Sequence, residues 1–304
     1  MRVAWIGLGN MGTPMASNLA AAGHQVTGFD LSEPARAHAG EKGIAIAESA
    51  TAAVADAEVV FTMLPAGAHV RSVLTDSVLD ALPEGAIVVD SSTIDIATAR
   101  ELHELVRARG FDFLDAPVSG GVFGAEAGSL TFMIGGPDEV LERVRPLIEV
   151  MAGRVFHAGG PGSGQAAKLA NNMMLAINTA GLAEGAVLAD RLGLDPKVFY
   201  DIATVSSGDS WALRSWYPMP GVVQTAAVNR DFDGGFAVNL MRKDLGLARQ
   251  AGADTATELP LADLVMTQLD TLVDRGLGSK DTACLVKLVD GSLESSDVES
   301  SEGE

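Results

Sequence analysis

The sequence predicts an α/β fold, a doubly wound, mostly parallel sheet, followed by an all-helical second domain. Three observations carry that reading. Short β-branched runs alternate with Ala-rich helical stretches as far as about residue 156; the alternation then stops; and after a Gly-rich stretch at 158–164 an almost unbroken helical pattern takes over.

Residues 2–6, 25–30, 59–63, 87–90 and 111–115 read as strands, several of them apolar almost throughout, as happens when helices cover both faces of a parallel sheet. The pieces at 11–22 and 98–109 read as crossover helices, and 131–135 and 154–157 as two further strands. From 165 to about 192 the helical pattern is long enough to reach about 40 Å at ~1.5 Å per residue, and it is expected to join the two domains. Further helices are expected at 196–205, 238–250, 260–275 and 282–289, with no convincing strand among them. The domain boundaries that follow are 1–161 for the α/β part and 162–289 for the helical part. Residues 290–304 hold six carboxylates and no basic residue, and are expected to form a disordered acidic tail.

A chain of 304 residues is long for one core, and at 47% apolar it has material for two. The formal charge of -19 opposes nucleic acid and anionic membrane surfaces, since carboxylates repel phosphate. A small molecule is the better partner class. With Cys284 the single cysteine and the histidines scattered at 24, 38, 69, 103 and 157, no metal site is expected. The opening residues enter an apolar strand without the features of a signal peptide, and no run approaches the roughly 20 apolar residues that span a bilayer. The expected compartment is the cytoplasm.

Gly7-Leu8-Gly9-Asn10-Met11-Gly12 follows the first strand and opens the first helix. Gly-x-Gly-x-x-Gly alone is a weak signal in a chain with 34 glycines, but this position is the one a dinucleotide requires. The first Gly permits the tight turn, the second lets backbone approach a pyrophosphate, and the third lets helix and strand pack closely. The α/β part is thus of Rossmann type. Asp30 ends the second strand eighteen residues beyond Gly12, where a carboxylate accepts hydrogen bonds from ribose hydroxyls and repels a 2′-phosphate. NAD is the expected cofactor, although Arg36 nearby leaves NADP use open. Met63-Leu64-Pro65 and Ser91-Ser92-Thr93 end later strands at the ligand-binding edge, where they serve either a ligand or ordinary loop and cap chemistry.

Asp115-Ala-Pro-Val-Ser119-Gly120-Gly121 offers a hydroxyl and unobstructed backbone N–H groups, which suit either a carboxylate cradle or a plain turn. Gly162-Ser-Gly-Gln-Ala-Ala-Lys168-Leu-Ala-Asn-Asn172 begins the long helix, with Lys168 and Asn172 four apart on one face. A lysine in an Ala- and Leu-rich setting is generically a snorkelling side chain. Near a helix N-terminus, however, desolvation and the helix dipole both disfavour its charge, which makes it a usable acid/base near neutral pH.

Together with Lys243-Asp244-Leu245, these blocks resemble the four signature blocks of the β-hydroxyacid dehydrogenase family, in order, with the family's spacing and across nearly the whole chain. The stretch from Ser206-Ser-Gly-Asp-Ser-Trp211 to Lys243 resembles the 3-hydroxyisobutyrate dehydrogenase branch in particular. The resemblance implies NAD-dependent oxidation of 3-hydroxyisobutyrate to methylmalonate semialdehyde, a reaction of valine catabolism, in a homodimer or homotetramer. It implies Lys168 as the acid/base, assisted by Asn172; Ser119, Gly120, Gly121 and Lys243 as substrate-binding; and Gly7, Gly9, Asn10, Met11, Gly12, Asp30, Leu64, Pro65, Thr93 and Lys243 as cofactor-binding. Trp211, with Leu213 and Trp216, is expected near the substrate, where it suits a methyl group. One departure stands at Lys280-Asp281-Thr-Ala-Cys284, where the family commonly has a Lys-Asp-Phe-Ser type segment. Competing readings are a reductase of another short semialdehyde (tartronate, succinic or glyoxylic type) and a non-catalytic NAD(H)-binding dimer. The joint presence of Lys168, Asn172 and Lys243 weighs against the second.

Overall fold

A computed structural model describes residues 1–293, which divide into two compact units, the first ending at Leu169 and the second beginning at Ala170. The first unit is built on a sheet of nine strands: β1 Arg2–Ile6, β2 Gln25–Phe29, β3 Ala45–Ile46, β4 Val59–Thr62, β5 Ile87–Asp90, β6 Asp112–Asp115, β7 Val118–Ser119, β8 Leu130–Gly135 and β9 Ala152–Gly159. Their order is β3-β2-β1-β4-β5-β6-β8-β7, with β9 paired to β8. The run from β3 to β6 is parallel, whereas β8 pairs antiparallel with both β6 and β7. The sheet is therefore doubly wound and mostly parallel, as expected.

Burial explains why the central strands were visible in the sequence. Every residue of β4 and β5 is buried, because helices cover both faces. One face carries Trp5, Met15, Phe61 and Leu147; the other carries Ile6, Val60, Val88 and Leu102. Trp5 stacks on Phe61 with ring centroids 5.0 Å apart, a pair contributing about 0.5–1.5 kcal/mol beyond its buried area. The crossover helix Ile96–Ala108 begins where the Asp95 carboxylate accepts the Thr98 N–H at 2.7 Å, which fixes the boundary two residues before the expected one.

The chain leaves β1 toward β2 on one side and later returns to β4 on the other. The carboxyl ends of β1 and β4 thus diverge at a topological switch point, the place where open α/β sheets bind ligands.

The long helix Ser163–Arg191 spans the boundary in sequence at Leu169. In the second unit it is followed by helices Pro196–Ala203, Trp211–Trp216, Val238–Asp254, Pro260–Asp274 and Val286–Asp290, with 3-10 turns at Ala227–Arg230 and Thr282–Leu285. Among the described residues this unit has only an isolated bridge, between Ala237 and Asp281, and no named strand. Its core gathers Met241, Leu245, Val265, Leu269, Leu272 and Cys284. Burial pushes the Cys284 thiol up to about 12, so this cysteine is a packing residue rather than a nucleophile. The helix expected at 282–289 opens with a 3-10 turn, Thr282–Leu285, which the Asp281 carboxylate caps by accepting the Ala283 N–H. Asp290 closes the last helix and Leu293 packs against the core, so the acidic tail does not begin at 290. Residues 294–304 of that tail lie outside the described residues.

Candidate active site

At the end of β1 the backbone turns through Gly7 at φ +101°, and a Cβ there would lie 2.2 Å from the Met63 carbonyl oxygen at the end of β4. Only glycine lets the two strand ends meet this closely. Gly12 closes the turn from behind, since a Cβ on it would lie 1.8 Å from the Gly7 carbonyl oxygen. Gly9 behaves differently: a Cβ on it would meet no protein atom within 4 Å. The protein's own packing therefore does not require glycine at 9, whereas a pyrophosphate laid against the backbone does. Gly9 and Asn10 are exposed, and Met11 offers the helix Gly12–Ala21 no side-chain cap, so the start of that helix suits an anion.

Asp30 holds this turn as well as facing outward. One carboxylate oxygen accepts the Leu8 N–H and the other the Ser32 N–H, both at 2.7 Å. Arg36 donates to the carbonyls of Asp30 and Leu31 at 2.6 and 3.0 Å. The turn-forming reading of Asp30 and the ribose-binding one are thus compatible, because each carboxylate oxygen has a second lone pair. The Leu64 N–H donates to Ser92 Oγ at 2.8 Å, joining the two loops that carry Leu64, exposed Pro65 and half-buried Thr93.

The next two strand ends bring a pair of buried carboxylates into register, Asp90 on β5 and Asp115 on β6. Asp115 is well supplied with donors: Gly162 N–H and His103 Nε2 on one oxygen at 2.9 and 2.8 Å, Gln165 N–H on the other at 3.0 Å. Asp90 has Thr62 Oγ1 at 2.7 Å and Ser92 N–H at 3.1 Å on one oxygen, and its other oxygen finds no partner among the described residues. Burial pushes the Asp90 carboxyl up to about 6, with the Asp115 charge adding to the shift and the bonds from Ser92 and Thr62 opposing it. Beyond Asp115, Ser119 is half-buried and Gly120 and Gly121 are exposed at the start of helix Gly121–Glu126.

Lys168 belongs to the same unit and is only 7% exposed, five residues into a helix whose first turn is tied to Asp115. A buried lysine is uncommon, and one beside a ligand-binding sheet edge is a candidate for proton transfer.

In the second unit Asn172 is buried, and its amide Nδ2 donates to Asp244 Oδ2 at 2.6 Å. The other Asp244 oxygen pairs with Lys243 Nζ at 3.1 Å. Asp244 is therefore the hub that orients Asn172 and Lys243. Trp211 is 54% exposed and meets Trp216 edge-on at 5.2 Å. Leu213 and Trp216 are buried in the packing of this unit. Lys280 is a loop clasp: its ammonium binds Asp231 and Asp233 at 2.8 and 2.9 Å. Gln165, His103 and Asp244 received no role from the sequence. For Gln165 and Asp244 the available signal was a polar residue inside a motif already singled out; His103 had none.

Comparison with known proteins identifies the family. Residues 2–159 match the model for the NAD binding domain of 6-phosphogluconate dehydrogenase, and 162–289 match that for the NAD-binding of NADP-dependent 3-hydroxyisobutyrate dehydrogenase. A probable 3-hydroxyisobutyrate dehydrogenase of Mycobacterium tuberculosis is 49% identical over 85% of this chain and 88% of its own. An NAD-dependent L-serine dehydrogenase of Pseudomonas aeruginosa is 44% identical over 95% of this chain and 98% of its own. A solved structure of M. tuberculosis 3-hydroxyisobutyrate dehydrogenase with L-serine superposes with a TM-score of 0.88 at 44% identity, covering 94% of this chain and 98% of that one. The chain belongs to the β-hydroxyacid dehydrogenase family and resembles its 3-hydroxyisobutyrate dehydrogenases. It is an NAD-dependent oxidoreductase with a nicotinamide-dinucleotide-binding first domain. No helix among the described residues is long and apolar enough to cross a membrane.

Proposed function

We propose that the protein oxidises 3-hydroxyisobutyrate to methylmalonate semialdehyde, with Lys168 as the acid/base. The observation that carries this is the burial of Lys168 at the start of a helix tied to the carboxyl edge of the sheet. Bound NAD supplies the two-electron acceptor. Gly7, Gly9, Asn10, Met11 and Gly12 hold its pyrophosphate, Asp30 its ribose, and Leu64, Pro65 and Thr93 flank it. Lys168 would accept the proton of the β-hydroxyl as the carbinol C–H bond breaks, the hydride being what bound NAD would accept. Ser119 with the Gly120 and Gly121 N–H groups holds the substrate carboxylate. Family likeness extends the substrate-binding role to Asn172, Lys243 and Trp211, and a cofactor contact to Lys243. The functional domains are taken as 1–161 and 162–289, in a homodimer or homotetramer.

L-Serine is the second reading, because a relative 44% identical over nearly its whole length is named for that substrate. Serine has an ammonium where 3-hydroxyisobutyrate has a methyl, and the two demand opposite surroundings. Steady-state assays of NADH formation with both compounds decide between them. The highest kcat/KM is expected for 3-hydroxyisobutyrate; a higher value for L-serine would replace the first reading by the second, and turnover of neither would remove both.

Asp30→Ala is expected to raise the Kd for NAD by about 10–100-fold, the equivalent of one lost hydrogen bond to a charged group at about 1.5–3 kcal/mol. Titration of NADH fluorescence measures it, and an unchanged Kd would take Asp30 out of the cofactor site.

A further inference from the structure

We infer that Gln165 and Asp115, the latter braced by His103, are positioning residues for Lys168. This rests on Lys168 being the acid/base and adds what holds it in place. Gln165 is wholly buried, and both ends of its amide are used: Oε1 accepts the Ile94 N–H at 3.1 Å and Nε2 donates to the Ser92 carbonyl at 2.8 Å. Its backbone N–H and that of Gly162 donate to the two oxygens of Asp115, which His103 Nε2 also reaches at 2.8 Å. Ser92 Oγ in turn accepts the Leu64 N–H.

One continuous set of hydrogen bonds thus runs from the Leu64 loop through Ser92 to Gln165, while a second joins the helix start to β6 and to the helix Ile96–Ala108. Both converge on the first turn of the Lys168 helix. Gln165 and Lys168 are three apart and both buried, so they are neighbours on one face of that helix. A carboxylate at a helix N-terminus is electrostatically favoured, which accounts for Asp115 remaining a helix anchor in a buried setting. Loss of either anchor lets the first turn of this helix shift, and Lys168 with it. A displacement of about 1 Å costs on the order of 10²-fold in rate when proton and hydride must move together.

The test is single-turnover formation of NADH, which separates the rate constant of the chemical step from the fraction of active enzyme. For Gln165→Met, which keeps the shape and removes both polar contacts, the rate constant is expected to fall by about 10–100-fold, with amplitude, substrate KM and NAD Kd within about twofold of wild type. A purely structural role would instead lower the amplitude and leave the rate constant alone, which overturns the inference. Should Gln165→Met fail to fold, the pair His103→Gln and His103→Leu replaces it. The glutamine retains an N–H donor for Asp115 and should keep the rate constant, while the leucine should lower it; equal rate constants overturn the inference. Lys168→Ala is run alongside: normal turnover in that variant defeats the underlying assignment, whereas an inactive Lys168→Ala beside an unaffected Gln165→Met defeats the positioning role alone.

Discussion

Replacing Lys168 with alanine is expected to lower kcat by about 10²–10⁴-fold, the range a positioned acid/base contributes. NAD affinity should stay near wild type, because the pyrophosphate and ribose contacts proposed here lie on Gly7–Gly12 and Asp30, in other elements of the unit. Lys168→Arg sharpens the test. Arginine keeps the positive charge and much of the bulk but stays protonated at every working pH, so it can steady an alkoxide and cannot take the proton. If proton transfer is the role, arginine is about as impaired as alanine; if only positive charge is needed, arginine is active. Turnover from absorbance at the nicotinamide band, with circular dichroism as a control of folding, reads both. An alanine variant with a large fraction of wild-type kcat removes Lys168 from the chemistry.

Why Lys168 could be singled out from the sequence, while its supports could not, follows from the range of the interactions. The Gly7–Gly12 turn, the β-branched central strands and the Lys168–Asn172 helix are local patterns, legible because period and spacing lie within one element. Gln165 meets Ile94 and Ser92 across 71 and 73 residues of sequence, and no local period records such a pairing. The antiparallel insertion of β8 between β6 and β7 escaped for a related reason, since a strand's composition is the same in either direction. The two-residue strands β3 and β7 are shorter than any alternation that could reveal them.

Asp90→Asn is expected to change the stability of the protein more favourably at about pH 8 than at about pH 5. Asp90 is fully buried, and its carboxyl is raised from an ordinary 3.8 to about 6. The folded state then holds the proton more tightly than the unfolded chain does, so ionisation favours unfolding. The cost is fully present above about pH 6, amounts to at most about 3 kcal/mol, and shrinks by roughly half near pH 5 as the folded state becomes protonated. Asparagine keeps an acceptor for Thr62 and Ser92 and carries no charge beside Asp115. It also places an amide N–H₂ where one carboxylate oxygen already lacks a partner, which costs about 1–3 kcal/mol at any pH. The diagnostic quantity is therefore the pH dependence of the difference between variant and wild type rather than its absolute size. Urea unfolding of both proteins at about pH 8 and about pH 5 isolates Asp90 from the other carboxylates, which titrate equally in each. The difference should move by about 1–1.5 kcal/mol in favour of the variant at the higher pH. A difference independent of pH would mean that Asp90 is ionised in the fold throughout this range, with its second oxygen served by a donor such as bound water.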